Sequence, residues 1–466
     1  MKNNLLTLLI ALPALVCAQT STQKVLELAP GYDAGQVLLP VTGGGYAIFG
    51  RQTAAPGANP DVFYLKVDAA GNQLAYKKYG DANISESVGK GVVTLPNGWL
   101  MSGSRTVISA VGWLQRINAT GDVLWAKDVP GTARINQMVP MPGGGFLATG
   151  HTTNGRMCLL KIEEDGSVTW QQNYTSGEGR DLYITSGGNA CIVMGSKQLW
   201  KIHLASKQIQ WEQAIAPPAF GPTGSTDFFA LTGIVTMGKG QFAVIGSAYT
   251  DLITALHSGH YAAVWNETGT PVWQKFVHDR TSTDFDQNEG FSIFYLPNSR
   301  NILFAGSDAG KIAVTRMDQQ GKVVDDVEIE APGAVFSLTL IKDAGFYVMT
   351  GGVLSNSINT YFYRSANNDL AKSVAPPIGT VPQVEHFRLF HTPGTTRLAV
   401  ETRAETEREG FFQLWDIGGK LIWEKTARLA AGENRLEFDT GTLPAGLYWL
   451  RDVSATGTAA RAFVVR

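Results

Sequence analysis

The sequence predicts an all-β protein, a seven-bladed β-propeller followed by a small C-terminal β-sandwich, with six or eight blades or an open solenoid as the alternatives for the repeat. Three observations carry that prediction. A turn, an apolar stretch and a closing glycine recur seven times between Gly43 and Gly351. An alternating strand and a second turn follow most copies, and in four of them a Trp sits four residues past the turn residue. The composition, with 52 Gly, 10% aromatic and only 17% charged residues, favours short strands joined by tight turns over helices.

Residues 1–18 read as a signal peptide. Lys2 is the only charge before an apolar run from Leu5 to Val16, about a dozen residues long and broken by Pro13. Val16-Cys17-Ala18 places short side chains before a cleavage point between Ala18 and Gln19. Cys17 also lies near the position a lipoprotein signal requires, but the bulk of Val16 before it argues against that reading. The run is too short for a bilayer anchor, and no other long apolar segment follows. A soluble, extracytoplasmic chain that does not span the membrane is expected.

The body, residues 19–370, carries the repeat. The first half appears as Gly43-Gly44-Gly45-Tyr46-Ala47-Ile48-Phe49-Gly50, then as Asn97-Gly98-Trp99-Leu100-Met101-Ser102-Gly103 and Gly143-Gly144-Gly145-Phe146-Leu147-Ala148-Thr149-Gly150. Weaker copies close on Gly195, Gly246, Gly306 and Gly351, so the repeats are 45 to 60 residues apart. The second half gives Trp125, Trp170, Trp211 and Trp273 at the fixed offset, with Asp325 replacing Trp in a later copy. A hairpin sheet of this size cannot bury both faces alone, whereas radial stacking buries them against neighbours and shortens the exposed edges. The Trp residues then read as wedges between sheets. Residues 22–29 lack a preceding partner and resemble an outermost strand. They are expected to complete the last, weak copy near 334–366 and pin the ring shut.

Residues 371–384 carry Ala375-Pro376-Pro377 and Val381-Pro382 and read as a linker. Strand-like runs follow at 397–402, 411–417, 420–426, 434–439, 446–452 and 460–466, the pattern of a small β-sandwich over 385–466.

Within that sandwich stand Leu414-Trp415-Asp416-Ile417-Gly418-Gly419-Lys420 and, later, Leu443-Pro444-Ala445-Gly446-Leu447-Tyr448; the chain ends on Arg461-Ala462-Phe463-Val464-Val465-Arg466. This order resembles the type A C-terminal sorting domain of the type IX secretion system of Bacteroidetes, with its L-x-D-x-x-G-K turn, L-x-x-G-x-Y motif and final apolar strand with basic residues. Asp416, Gly419, Lys420, Gly446 and Tyr448 are the residues that carry the resemblance. It implies recognition by the type IX secretion machinery, passage through the periplasm across the outer membrane, and secretion or display at the cell surface. Removal of the domain and attachment to lipopolysaccharide often follow in that family.

Chemistry is sparse. No G-x-S-x-G elbow, H-E-x-x-H pair or P-loop occurs. The net charge of -2 argues against a nucleic-acid partner. Of the three Cys, Cys158 and Cys191 remain after signal removal; they could bridge in an oxidising compartment, but their apolar strand contexts favour two buried thiols. Asp284, Asp286 and Asn288 echo a calcium loop, yet Glu289 stands where Gly is wanted and Tyr295 at position twelve. A solvated acidic loop fits better, and no other cofactor is implied. His257 and His260, three apart, would need further ligands to hold Zn²⁺, and no spacing supplies them.

Loop length is the informative asymmetry. The widest repeats carry their surplus in 216–229, 247–260 and 277–290, expected as long loops around the fifth blade on one face. They hold Asp227, Asp251, His257, His260, His278, Asp279, Arg280, Asp284, Asp286 and Glu289, with Phe228, Phe229, Tyr249 and Tyr261 as aromatic surface. Asp227, Asp251, His257, His260, Asp284, Asp286 and Glu289 are the candidate ligand site, set against the plainer reading of tolerated insertions. Three functions compete. The first is a non-catalytic binding or adhesion platform for polysaccharide or another surface protein. The second is an extracellular glycan hydrolase or lyase on the same scaffold. The third rests on Thr120-Gly121-Asp122-Val123-Leu124-Trp125, which resembles the docking motif of quinone-cofactor dehydrogenase propellers, although the adjacent Cys pair of many such enzymes is missing.

Overall fold

A computed structural model of the chain describes residues 21–365 and 387–465, apart from 30, 56–57, 82, 176, 221–227, 253–254, 283–288, 309–310, 355–357, 392–396, 405, 417–420, 440–442, 444–445 and 455–456. The expected signal peptide with its Ala18–Gln19 cleavage point, and the expected linker, lie outside the described residues. All described secondary structure is β-strand, and no helix long and apolar enough to cross a membrane occurs among those residues.

The body is a propeller-like succession of antiparallel sheets. Sheet 1 is Tyr32–Pro40, Tyr46–Thr53, Asp61–Val67 and Gln73–Tyr79, hydrogen-bonded in that order. Sheet 2 begins with two short pieces, Ser85–Val88 and Val93–Leu95. Both pair with Gly98–Thr106, and Ala110–Asn118 and Val123–Val129 follow. Sheets 3 to 6 repeat the plan, opening on Arg134–Pro140, Asp181–Ile184, Phe228–Gly238 and Glu289–Leu296 and ending on Val168–Asn173, Ile209–Ala214, Pro271–Ser282 and Val323–Ile329. Sheet 7 takes Ala334–Asp343, Phe346–Leu354 and Ile358–Arg364 from its own repeat and its fourth strand, Thr22–Leu26, from the other end of the chain. That last pairing is antiparallel, from Thr22 opposite Arg364 to Leu26 opposite Thr360, as the unpartnered N-terminal run led us to expect.

Strand alternation builds the core. Ile48 packs with Leu38, Val348 and Phe362 of the seam with sheet 7, while its neighbour Phe49 packs with Tyr64, Val88 and Trp99 of the seam with sheet 2. Leu147 and Ala148 divide in the same way between the seams on either side of sheet 3. Consecutive side chains point to opposite faces, so each sheet is apolar on both faces and gives one to each neighbour. Among the described residues, buried apolar clusters bridge every consecutive pair of sheets and also the seventh and first. The fourth strands lie at the rim and are largely exposed.

The closing glycine has a reason that the repeat pattern alone does not disclose. It is extended rather than left-handed, and in five sheets it sits in the second strand at or beside a bulge in the first. The bulges fall at Gly35/Val37, Ile135/Gln137, Leu231/Gly233, Gly290/Ser292 and Val335/Ser337. A bulge pushes a first-strand carbonyl toward the glycine. A Cβ on Gly50, Gly103, Gly150 or Gly351 would collide with the carbonyl oxygen of Ala34, Ser87, Arg134 or Ser337. Glycine is there for close approach and not for positive φ.

The turn glycines and Trp residues form one device. In sheets 1 to 6 the turn between strands three and four docks on an aromatic ring of the preceding sheet. A Cβ on Gly269 would meet Trp211 at 3.1 Å, one on Gly321 would meet Trp273 at 2.8 Å, and one on Gly166 would overlap Trp125. The Trp211 and Trp273 indoles also donate to turn carbonyls of the next sheet, Glu267 at 3.0 Å and Gln319 at 2.7 Å. In sheet 4 the turn residue is Lys207, itself left-handed at φ 60°, and its ammonium lies 5.1 Å from the Trp170 ring. The wedge reading of the Trp residues therefore holds, with the turn of the next sheet as what they wedge against.

The C-terminal segment forms two further sheets. One is Phe387–His391, Arg397–Ala404 and Gly432–Asp439; the other is Leu421–Leu429, Arg408–Asp416, Gly446–Ser454 and Gly457–Val465. Leu389, Leu398, Val400 and Phe438 from the first share an apolar cluster with Phe412, Leu414, Leu429, Tyr448 and Leu450 from the second.

Candidate functional site

Two places gather polar chemistry, the seam between sheets 5 and 6 and the axis. The first contains the sequence-predicted site. Among the described residues the surplus there is mostly strand and not loop: Gln241–Leu252, Ala255–Asn266 and Pro271–Ser282 are each 12 residues long. Extending the ladder pairs the backbone of residues that would otherwise hang in water, with Asp251 opposite Leu256 and Thr250 opposite His257. Glu289 opens sheet 6 opposite Ser307, so the segment that echoes a calcium loop ends in strand. Asp227, Asp284, Asp286 and Asn288 lie outside the described residues. Among those described, no group of three or more His, Cys, Asp or Glu could hold a metal ion.

Three of the expected surface aromatics are core. Phe229, Tyr249 and Tyr261 are buried, and the Tyr261 ring stands edge-on to Phe229 at 4.9 Å. Their strands continue past the length of the other blades, which turns a presumed binding rim into packing.

His260 is fully buried, not at the surface as expected. Its Nε2 lies 2.8 Å from the Ser307 carbonyl in sheet 6, and its ring stands edge-on to His278 at 5.0 Å. Burial above all, and then the neighbouring His278 charge, hold its pKa down at about 4. His278 sits in a left-handed kink, φ 55°, at the bulge opposite Ser258 and His260. Its Nδ1 is 2.9 Å from Oδ2 of Asp308, and its Nε2 is 2.7 Å from Oγ1 of Thr315 and 3.3 Å from Oδ1 of Asp326. Burial alone would lower its pKa, but the hydrogen bonds to Asp308 and Asp326 outweigh burial and raise it to about 9. The pair is an imidazolium held between two carboxylates of the next sheet. It joins sheets and leaves no open face for a substrate.

The second place was missed in the sequence because it is assembled from every repeat. A cavity of about 390 Å³ lies where the first strands converge. All seven sheets contribute: Gln36, Val88, Arg134, Thr232, Phe291 and Ser337 come from six, and Arg180 from the segment leading into sheet 4. Three cations, Lys90, Arg134 and Arg180, face one carboxylate, Glu178. Lys90 reaches across from sheet 2 to donate to the Thr232 carbonyl of sheet 5 and lies 3.7 Å from Asp181. Burial would push the Glu178 carboxyl up, but His151 at 3.4 Å, Arg180 at 3.6 Å and Asn136 at 3.3 Å hold it down at about 2. Arg134 is surrounded by protein and repelled by Arg51 and Arg180. That desolvation, with the repulsion, lowers its pKa to about 10, so it stays charged at neutral pH. Among the described residues its buried Nε has no hydrogen-bond partner, and neither has the buried Oε1 of Gln36. No motif announces this cluster. The only signal was charged residues at the inner ends of otherwise apolar repeats.

Cys158 and Cys191 are buried free thiols, in sheets 3 and 4, and burial pushes both up to about 12. In the C-terminal sheets, Asp416 and Tyr448 face one another across a strand pair, and Gly446 opposes Val465; Gly419 and Lys420 lie outside the described residues.

No curated protein matches the chain. Residues 110–350 match the family described as outer membrane protein assembly factor BamB. The match spans more than half of the chain, from the third strand of sheet 2 into sheet 7, and so the chain belongs to that family.

Proposed function

We propose that the seven sheets are the blades of a closed seven-bladed β-propeller that acts as a non-catalytic binding platform. Residues 385–466 form a C-terminal sandwich that addresses the chain to the type IX secretion machinery. Residues 1–18 serve as a signal peptide, and the body works outside the cell or on the outer-membrane surface, bound to polysaccharide or to another surface protein. The observation that carries the platform reading is the axial wall. A glycosidase requires two carboxylates flanking a cleft, one of them with a raised pKa. Among the described residues the axial cavity offers one, Glu178, tied down at about 2. The family description names an assembly factor and no reaction, in keeping with a protein that binds.

The address reading rests on the pairing of its two motifs, which sets Asp416 beside Tyr448. Deleting residues 385–466 tests it. The truncated protein should accumulate in the periplasm; normal release into the medium would refute the address. The platform is tested by screening the mature body against polysaccharides and surface proteins, with hydrolysis products measured alongside. Binding without turnover is expected, and cleavage of any bound glycan would overturn the non-catalytic reading.

A further inference from the structure

We infer that the axial cavity is a binding site for an anionic sugar, a saccharide bearing a carboxylate or a sulfate group. The inference rests on the platform reading and names the ligand class. Its volume of about 390 Å³ falls in the range of pockets that enclose small ligands, roughly 300–1,000 Å³.

The wall supplies three kinds of contact. The first is cationic. Arg134 and Arg180 face the cavity, and Arg134 carries a buried Nε–H that nothing among the described residues accepts. A guanidinium is the group best suited to a planar carboxylate or a sulfate oxygen pair. Buried donors are almost always satisfied, and Arg134 and Arg180 bring two guanidinium groups to the wall of one cavity. The second contact is an acceptor. The Gln36 Oε1 is also buried without a partner, and a sugar hydroxyl is a donor that would fill that role. The third is apolar. Leu231, Phe291 and Leu338 line the same space, and the C–H face of a pyranose packs on such surface.

A bare phosphate or sulfate ion would use only the first of these. A neutral sugar would leave the surplus of cations in the wall, Lys90, Arg134 and Arg180 against Glu178, unanswered. A nucleic acid would need a basic footprint on the outer surface that a chain of net charge -2 lacks.

Calorimetric titration of the full mature chain decides it. The probes are a galacturonate disaccharide, a sulfated disaccharide, a neutral disaccharide of the same linkage and inorganic sulfate. One anionic disaccharide should bind at least about tenfold more tightly than the neutral sugar and the inorganic ion, and its affinity should fall with added salt. The two anionic arms tell carboxylate from sulfate. Arg134→Gln should weaken that binding about tenfold or more, and Gln36→Leu several-fold. Arg180→Gln serves as a second cationic variant should Arg134→Gln not fold. Equal binding of neutral and anionic sugars, or binding unchanged in both arginine variants, would overturn the inference. Saccharide or protein binding that maps elsewhere on the body overturns the axial site and leaves the platform reading standing. No binding to any saccharide or surface protein overturns both.

Discussion

His278 of sheet 5 and Asp308 of sheet 6 stand 2.9 Å apart, Nδ1 to Oδ2, and both side chains are almost wholly removed from water. A buried ion pair contributes little beyond what an apolar pair would, but breaking one side of it is costly because a charge is left behind. The pair therefore acts as a latch between two sheets whose seam is otherwise held by two small apolar clusters.

This latch makes stability depend on pH with a definite sign. The His278 pKa is raised in the folded state to about 9, from an unfolded value of about 6.5. Its contribution is complete below about 6.5 and disappears as pH rises through 9, on the order of 3 kcal/mol across the window. His260 runs the other way. Held at about 4 in the fold, it opposes folding as pH drops from about 6.5 toward 4. Thermal melts of the body should therefore show a fall in Tm from pH 6.5 to 9.5 that is absent in His278→Gln. An identical alkaline slope in that variant would dismiss the latch.

The contact between sheets 1 and 7 depends on a second carboxylate. Asp33 in sheet 1 accepts from the backbone N–H of Thr360 in sheet 7 at 2.7 Å and from that of Leu28 at 3.1 Å. Burial pushes its pKa up to about 6 against the pull of those hydrogen bonds. Asp33→Ala leaves two donors unanswered and should cost about 2–4 kcal/mol, at roughly 1–3 for each buried group. Deleting residues 19–27 should go further, because it bares the edge of Ile358–Arg364. Chemical denaturation and light scattering measure the two effects.

The closing glycines should tolerate no side chain. Gly150→Ala sets a methyl group on the Arg134 carbonyl oxygen, so the bulge must open. A loss of several kcal/mol, or failure to fold, is expected from strain of this kind. Gly43→Ala, where a Cβ meets nothing, meets only the left-handed backbone cost of about 1 kcal/mol. Paired melts of the two variants give the contrast, and equal losses would contradict it.

Thiol chemistry offers a simple check on the seams. Cys158 and Cys191 lie in neighbouring sheets and are wholly buried. Native protein prepared without residues 1–18 should react with neither an aromatic disulfide reagent nor an alkylating agent, and two thiols should appear in denaturant. Rapid native labelling would show that the seams between sheets open readily.

The repeat was legible because its signals are local. Alternation, turn glycines and a Trp at fixed offset are properties of short windows, and they led to the sheets, the wedges and the N-terminal strand in sheet 7. The same windows misled at the fifth repeat. Extra length reads alike as a loop or as a longer hairpin, and pairing between Asp251 and Leu256 or between His260 and Val277 is what tells them apart. The reason for Gly50 and its counterparts was likewise hidden, since the carbonyl that excludes a Cβ belongs to another strand.

What the sequence by itself determined is the strand plan: which residues alternate, where the chain turns, and that the first strand of the body meets its last repeat. Only tertiary structure decided where charge ends up. Arg134, Arg180 and Lys90 lie tens of residues apart, and His278 meets Asp308 across a seam. Their environments are set by seven sheets converging on an axis, and convergence is a property of the whole stack that no single window contains.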